Sequence, residues 1–270
     1  MCQVEYICRM GVTRSNSTKR IRRAGVSRAG AAPRRRPEEG GYARGEETRA
    51  RIVASAMAVF GEQGYDRAST RQIAANAGVN PPALQYYFDS KEGLYRACVQ
   101  AIVDRVREVL APAMQRAQAA ISARAQPLAL EALLNLLDAL TDALVAAGAQ
   151  SWSRFIERGT AGGTGPAMTR LRERVSKPLR QTICELIGVV RDQPAQAEQT
   201  RLRALTLMGQ VSVFHANRES TLAALGWQQF DPPALAAMKA IVRANTRAAL
   251  AAPEPSIGAL PLTAAKGRRR

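Results

Sequence analysis

Histidine occurs once, at His215, cysteine four times, and aromatic side chains make up only 5% of the 270 residues. A single imidazole leaves a histidine-based metal site or a Ser-His-Asp triad without partners. Cys2, Cys8, Cys98 and Cys184 show neither zinc-ligand spacing nor the pattern of a disulfide framework, and Cys98 and Cys184 read as small core residues. No apolar run approaches the roughly 20 residues of a membrane span, and the N-terminal segment lacks the apolar stretch of about 7–15 residues that a secretory signal needs. The paired carboxylates Glu38-Glu39 read as solvated loop charges. Ala-rich stretches favour helix over strand, and at 46% apolar residues the chain is too hydrophobic to be wholly disordered. What remains is an all-α, intracellular and cytoplasmic protein that is no enzyme, with no cofactor and no metal site expected.

The net charge of +17 is unevenly spread. Residues 1–45 carry +8 and the last five residues +4, which leaves +5 for everything between. The first segment holds Arg34-Arg35-Arg36 and scattered Gly and Pro without apolar periodicity, so residues 1–45 read as a disordered basic extension. Its Arg-rich, acid-poor composition admits three readings: an arm that adds nonspecific attraction to nucleic acid, an organelle transit segment, or translation from a spurious upstream start. Residues 252–270, with Pro253, Pro255 and Pro261, read as a flexible basic tail.

Between Glu46 and about Arg107 the chain is densely punctuated. Ile52, Val53, Ala56, Val59 and Phe60 make one face of a helix over about Thr48–Gln63. Gly64 then serves as a left-handed cap, and Tyr65 packs back on Phe60. Ser69 and Gln72 suggest a capping box opening a short helix over Thr70–Ala77, and Gly78 breaks it with positive φ. Asn80-Pro81-Pro82 starts a third helix ending near Phe88. Since Pro82 has no N–H, the Asn80 cap must accept from Ala83. Asp89-Ser90-Lys91-Glu92 opens a longer fourth helix. Two short helices joined through a glycine turn are the helix-turn-helix arrangement, with Ile73, Ala74, Ala77, Val79 and Leu84 as its core. An ordinary helical hairpin would carry the same caps.

The stretch STRQIAANAGVNPPALQYYFDSKEGLY, Ser69–Tyr95, resembles the DNA-binding signature of the TetR family of transcriptional regulators. The matching elements are Ile73-Ala74, Ala77-Gly78-Val79, an aromatic pair at Tyr86-Tyr87, and Phe88 followed by Ser90-Lys91-Glu92 and Leu94. Leu205–Trp227, LTLMGQVSVFHANRESTLAALGW, more weakly resembles the C-terminal domain of the CecR-like branch. The resemblance implies a homodimer with an N-terminal DNA-binding domain over residues 46–95 and a helical ligand-binding and dimerisation domain over 96–251.

A recognition helix must present polar groups to base edges while its flanks grip phosphates. On Pro81–Phe88 the side chains free of the core are Pro81, Pro82, Gln85 and Tyr86. Gln85 alone can pair bidentately with adenine, and Pro82 can touch a thymine methyl. Thr70 and Arg71 open the preceding helix and suit phosphate. The resemblance adds Tyr86 and Lys91 as backbone contacts, and Asn80 completes the expected DNA-binding set. Tyr87 reads as core. Gln85, Tyr87 and Pro81 depart from the residues commonest in the family, which leaves the operator sequence open. Residues 46–110 hold eight basic and eight acidic residues, so the charge of this region does not by itself argue for DNA.

Beyond Pro112 the chain reads as consecutive helices, over about Pro127–Ala147, Trp152–Arg158, Pro166–Arg191, Gln196–Leu225 and Pro232–Ala251. Pro127–Ala147 is apolar around most of its circumference and belongs at the centre of a bundle. Gly159–Gly165 lacks the Gly-Lys-Ser/Thr ending of a phosphate loop and reads as a flexible connection. Leu202, Leu205, Gly209, Ser212, Leu235, Met238 and Val242 on the last pair suit either a dimer interface or an internal core. Trp152, Phe155, Ile156, Phe214, His215 and Arg218 are the pocket candidates, and they point to a small, mainly apolar effector. The expected function is a ligand-responsive repressor that binds a palindromic DNA operator. The rival reading is a nonspecific basic DNA-binding or architectural protein driven by its charged tails.

Overall fold

The computed structural model describes residues 39–145, 149–161 and 165–253, and they form α-helices joined by short turns, with no strand among them. Helices α1 (Glu39–Arg67), α2 (Thr70–Asn76) and α3 (Pro81–Phe88) precede α4 (Lys91–Ala123), α5 (Gln126–Val145) and α6 (Ala149–Ala161). Then come α7 (Pro166–Leu171), a π turn (Arg172–Ser176), α8 (Lys177–Arg191), α9 (Glu198–Ala216), α10 (Arg218–Leu225) and α11 (Pro232–Ala251). The all-α fold is the one the composition implies.

α5 explains the bundle. Leu133, Leu134, Leu136, Leu137 and Leu140 are all buried, and each contributes about 1.5–3 kcal/mol over an exposed position. A helix buried on most sides must be surrounded, and α5 packs against α4, α8, α9 and α11. Leu128, at the rim, is 58% exposed. Its connection to α11 is ionic: Arg243 Nη1 donates to Asp138 Oδ2 (2.6 Å) and Asn135 Oδ1 (3.2 Å), and Nη2 to Glu131 Oε2 (2.9 Å). Arg247 and Lys239 add pairs to Glu131 and Asp142.

α4 joins the two halves. Its buried stripe runs from Leu94 through Cys98, Ile102, Val106 and Leu110 to Ala113, Ala117 and Ala120, so one rod carries a continuous core through both halves. Pro112 sits inside it and forfeits one rung to Glu108, yet the helix continues because that stripe is packed along its whole length. The N-terminal helices also reach the bundle through α1, which lies against α6.

Several expectations need correction. Residues 39–45, expected within the basic extension over 1–45, are the first turns of α1, so Glu39 is helical rather than in a loop. A Cβ built on Gly45 would stand 3.8 Å from the Tyr87 hydroxyl, so this turn has α3 to lie against. Residues 1–38 and 254–270 lie outside the described residues. Gly64 takes φ 78° and ψ 169°, positive φ with extended ψ, so the chain kinks and resumes one more helical turn to Arg67. The expected single helix over Pro166–Arg191 carries the π turn instead. Pro178 has no N–H, and its ring would strike the carbonyl four residues back, so the backbone widens to pass it. Gln196–Leu225 is two helices, broken at Asn217 (φ −114°, ψ 39°). Within Gly159–Gly165, residues 159–161 end α6 and 162–164 lie outside the described residues.

Candidate nucleic-acid interface

α2 and α3 are too short to be stable alone, so their ends and their underside must hold them. α2 ends in a Schellman turn: Val79 N–H donates to Ala74 O (3.0 Å), Gly78 N–H donates to Ala75 O (3.1 Å), and Gly78 takes φ 65°. α3 begins as the sequence requires, with Asn80 Oδ1 accepting from Ala83 N–H at 3.0 Å. Ser90 Oγ accepts from Gly93 N–H at 3.0 Å and opens α4. The capping box expected at the start of α2 does not form. Ser69 makes no side-chain cap bond, and the Gln72 side chain is engaged by Gln63, whose Nε2 donates to it at 3.0 Å across to α1. Beneath the turn Ile73, Ala74, Ala77 and Leu84 are buried, and Ser55 Oγ donates to Ile73 O at 2.9 Å.

This underside leaves a definite outer face. Pro81, Pro82, Gln85 and Tyr86 of α3 are exposed, Tyr86 to 83%. Tyr87 is half-buried and packs on the core, as expected. Arg71 is exposed and Thr70 half-buried at the start of α2. Lys91 is held rather than free: its ammonium donates to Asp66 O at 3.1 Å and lies 4.8 Å from the centre of the Tyr65 ring. Thr70 and Arg71 thus lie at the start of α2, Asn80, Pro82, Gln85 and Tyr86 at the cap and along the outer face of α3, and Lys91 at the start of α4. Sequence reasoning missed Gly93. A Cβ there would stand 2.1 Å from Phe88 O, so the joint between α3 and α4 closes only around a glycine.

The six pocket candidates are not brought together. Phe155 is buried and lines a cavity of about 770 Å³ between α1, α4, α6 and α7. His215 and Arg218 line a separate, more polar cavity of about 600 Å³ with Arg154, Glu157 and Glu219. There they also satisfy the end of α5: His215 Nδ1 donates to Leu144 O (3.0 Å) and Arg218 Nη1 to Val145 O (3.2 Å). Burial lowers the pKa of Arg218, whose guanidinium also stacks 4.4 Å from the Phe230 ring centre. Trp152, Ile156 and Phe214 pack on the core cluster. The reading missed Phe60, Tyr65 and Tyr95 as cavity residues, because only the packing of α1 and α4 against α6 assembles them.

Two family models match the chain: "Bacterial regulatory proteins, tetR family" over residues 52–98, and "HTH-type transcriptional dual regulator CecR, C-terminal domain" over residues 129–253. The HTH-type transcriptional dual regulator CecR of Shigella flexneri is 35% identical over 196 residues, spanning 70% of this chain and 84% of that protein. The HTH-type transcriptional activator FasR of Mycolicibacterium smegmatis is 38% identical over 85 residues, 29% of this chain and 39% of FasR. Among solved structures, a TetR-like transcriptional regulator from Rhodococcus sp. RHA1 superposes with a TM-score of 0.56 at 21% identity, over 76% of this chain and 97% of its own. AibR, solved in complex with isovaleryl coenzyme A and operator DNA, gives 0.51 at 18% identity, over 72% and 97%. Placed beside the capped helix-turn-helix and the helical bundle behind it, these matches show that the chain belongs to the TetR family of DNA-binding transcriptional regulators, with a C-terminal domain of the CecR type.

Proposed function

We propose that the chain is a homodimeric, ligand-responsive repressor that reads a palindromic operator with α3. The observation that carries this reading is the outer face of α3, where Gln85 and Tyr86 stand exposed on a helix whose other side is locked into the core. Gln85 reads a base edge, Pro82 meets a thymine methyl, and Thr70, Arg71, Asn80, Tyr86 and Lys91 grip the backbone. Residues 46–95 form the DNA-binding domain and 96–251 the effector-binding and dimerisation domain.

Dimerisation is supported by an unpartnered stripe on α9, where Leu202 (44%), Leu205 (54%) and Val213 (46%) are exposed beside the exposed Gly209 and Ser212. On α11, Ile241 (59%) stands among the exposed Ala237, Ala244 and Ala248. Small residues around a few large apolar ones let two helix pairs approach closely. Leu235, Met238 and Val242 face inward instead and belong to the protomer's own core. The effector acts by population shift: it binds better to the state whose two recognition helices are badly spaced, and lowers operator affinity by that preference. AibR, solved with isovaleryl coenzyme A and operator DNA, supports such a pairing of ligand and DNA on this architecture.

Sequencing of DNA fragments selected by the purified protein tests the reading, and an inverted repeat is the expected result. Repeating the selection with residues 1–38 and 266–270 deleted separates it from the rival, in which the charged tails drive nonspecific binding. The repressor keeps its motif, whereas the tail-driven binder loses its affinity.

A further inference from the structure

The cavity between α1, α4, α6 and α7 has a composition that suits one class of ligand. Four rings pack on one another in one wall: Tyr95 lies 4.7 Å from Phe155, 5.2 Å from Phe60 and 5.2 Å from Tyr65, centre to centre, and Tyr65 and Tyr95 are the two open to the space, since Phe60 and Phe155 are buried. The Tyr95 hydroxyl makes no hydrogen bond to another described residue, although it reaches within 2.7 Å of where a Cβ on Gly159 would stand. Of the charged side chains at the rim, Arg96 and Glu92 are committed to each other at 3.8 Å. Arg67 and Arg158 form no ion pair among the described residues, against one further carboxylate, Asp66. At about 770 Å³ the space falls in the range of small-molecule sites, which run to roughly 300–1,000 Å³.

We infer that this cavity binds a flat, mainly apolar molecule carrying one anionic group, its body against Tyr65 and Tyr95, with the buried Phe60 and Phe155 behind them, and its anion on Arg158. The inference rests on the reading of the chain as ligand-responsive and gives that ligand a place and a chemistry. Aromatic faces stack on a planar body, and a guanidinium offers a carboxylate two parallel donors. The place has a consequence for DNA binding. Tyr65 is both a wall of the cavity and the ring under the Lys91 ammonium, and the neighbouring Asp66 carbonyl accepts from that ammonium. Lys91 opens α4 directly after the recognition helix, so an occupant pressing on Tyr65 acts at the joint that aims α3.

The test uses 2-naphthoate as probe and neutral 2-naphthalenemethanol as its control, titrated calorimetrically into the full chain. Naphthoate should bind saturably, one per chain, and about tenfold or more tightly than the alcohol, because a charge-assisted hydrogen bond is the difference between them. Arg158→Ala should remove most of that margin and leave alcohol binding unchanged. Gly165→Phe starts its new side chain in open space at the cavity wall, so it should abolish binding of both while the circular dichroism melt stays that of the parent. Absence of saturable naphthoate binding, equal affinity for acid and alcohol, or binding indifferent to both substitutions would overturn the inference. DNA selection on the same preparations reports separately on the regulator reading, since a chain that selects a motif but binds no naphthoate contradicts only the ligand site.

Discussion

Gln85 and Lys91 differ in what their side-chain chemistry can read. An amide that donates and accepts in one plane distinguishes adenine from the other bases, whereas an ammonium reads only charge. Gln85→Ala should therefore lose preference at one base pair per half-site, at a cost of about 1–3 kcal/mol on the selected sequence. Lys91→Ala should weaken all sequences alike and reduce the salt slope by about one, which binding titrations at several salt concentrations will show. Lys91 must first leave Asp66 O and the Tyr65 ring, so part of its phosphate contact energy offsets that loss. Gly93 is a residue of another kind. Its missing Cβ is what lets Phe88 O approach, and because the obstacle is backbone it cannot swing away. Gly93→Ala should cost about 1–3 kcal/mol or more in a urea melt. Which residues face outward on α3 was legible in the sequence, because two prolines, a cap and a buried Leu84 leave few alternatives on an eight-residue helix. The cavity was not legible, since its rings come from three helices distant in sequence.

At the scale of elements, the starts of helices were the most readable feature. Asn80, Ser90 and Asp231 each accept from the backbone N–H three residues on, as their side chains imply and, for Asn80 and Asp231, the two prolines that follow. Two of the failures have a visible cause, competition from tertiary structure at Gln72 and a proline at the π turn. Gln72 is engaged by Gln63 on α1 instead of reaching back to Ser69, Pro178 widens the helix into a π turn, and Asn217 ends α9 where the apolar pattern continues. The periodicity of the long helices gave their type, and packing decided their ends. Between α5 and α11 the partly buried Arg243 is the main tie, with its side chain 24% exposed and Asp138 at 23%. Replacing it by alanine leaves the partly buried Asp138 without its ion-pair partner, while Glu131 keeps Arg247, and should destabilise the chain by on the order of 2 kcal/mol, discounted from the cost of a fully buried pair. A charge-neutral Arg243→Met, which refills the volume, should recover part of that loss in the same urea titration.

For the whole molecule, the α4 rod and the α1–α6 contact tie α3 to the bundle, and in the proposed dimer the spacing between two copies of α3 depends on how two bundles meet. Ile241→Glu, together with Leu205→Glu, should place like charges in the proposed interface and give a monomer by sedimentation velocity, with the helical signal of the parent retained. A double variant that stays dimeric would move the interface elsewhere. The monomer should also lose operator binding, because one half-site supplies only half of the base and phosphate contacts.

In the proposed dimer two copies of α3 read one site together, and a footprint of the selected DNA with measured stoichiometry decides whether they do. Two chains should protect an inverted repeat whose half-sites lie one helical turn apart, about 34–36 Å, or a multiple of it. A single asymmetric half-site protected by one chain would contradict the account.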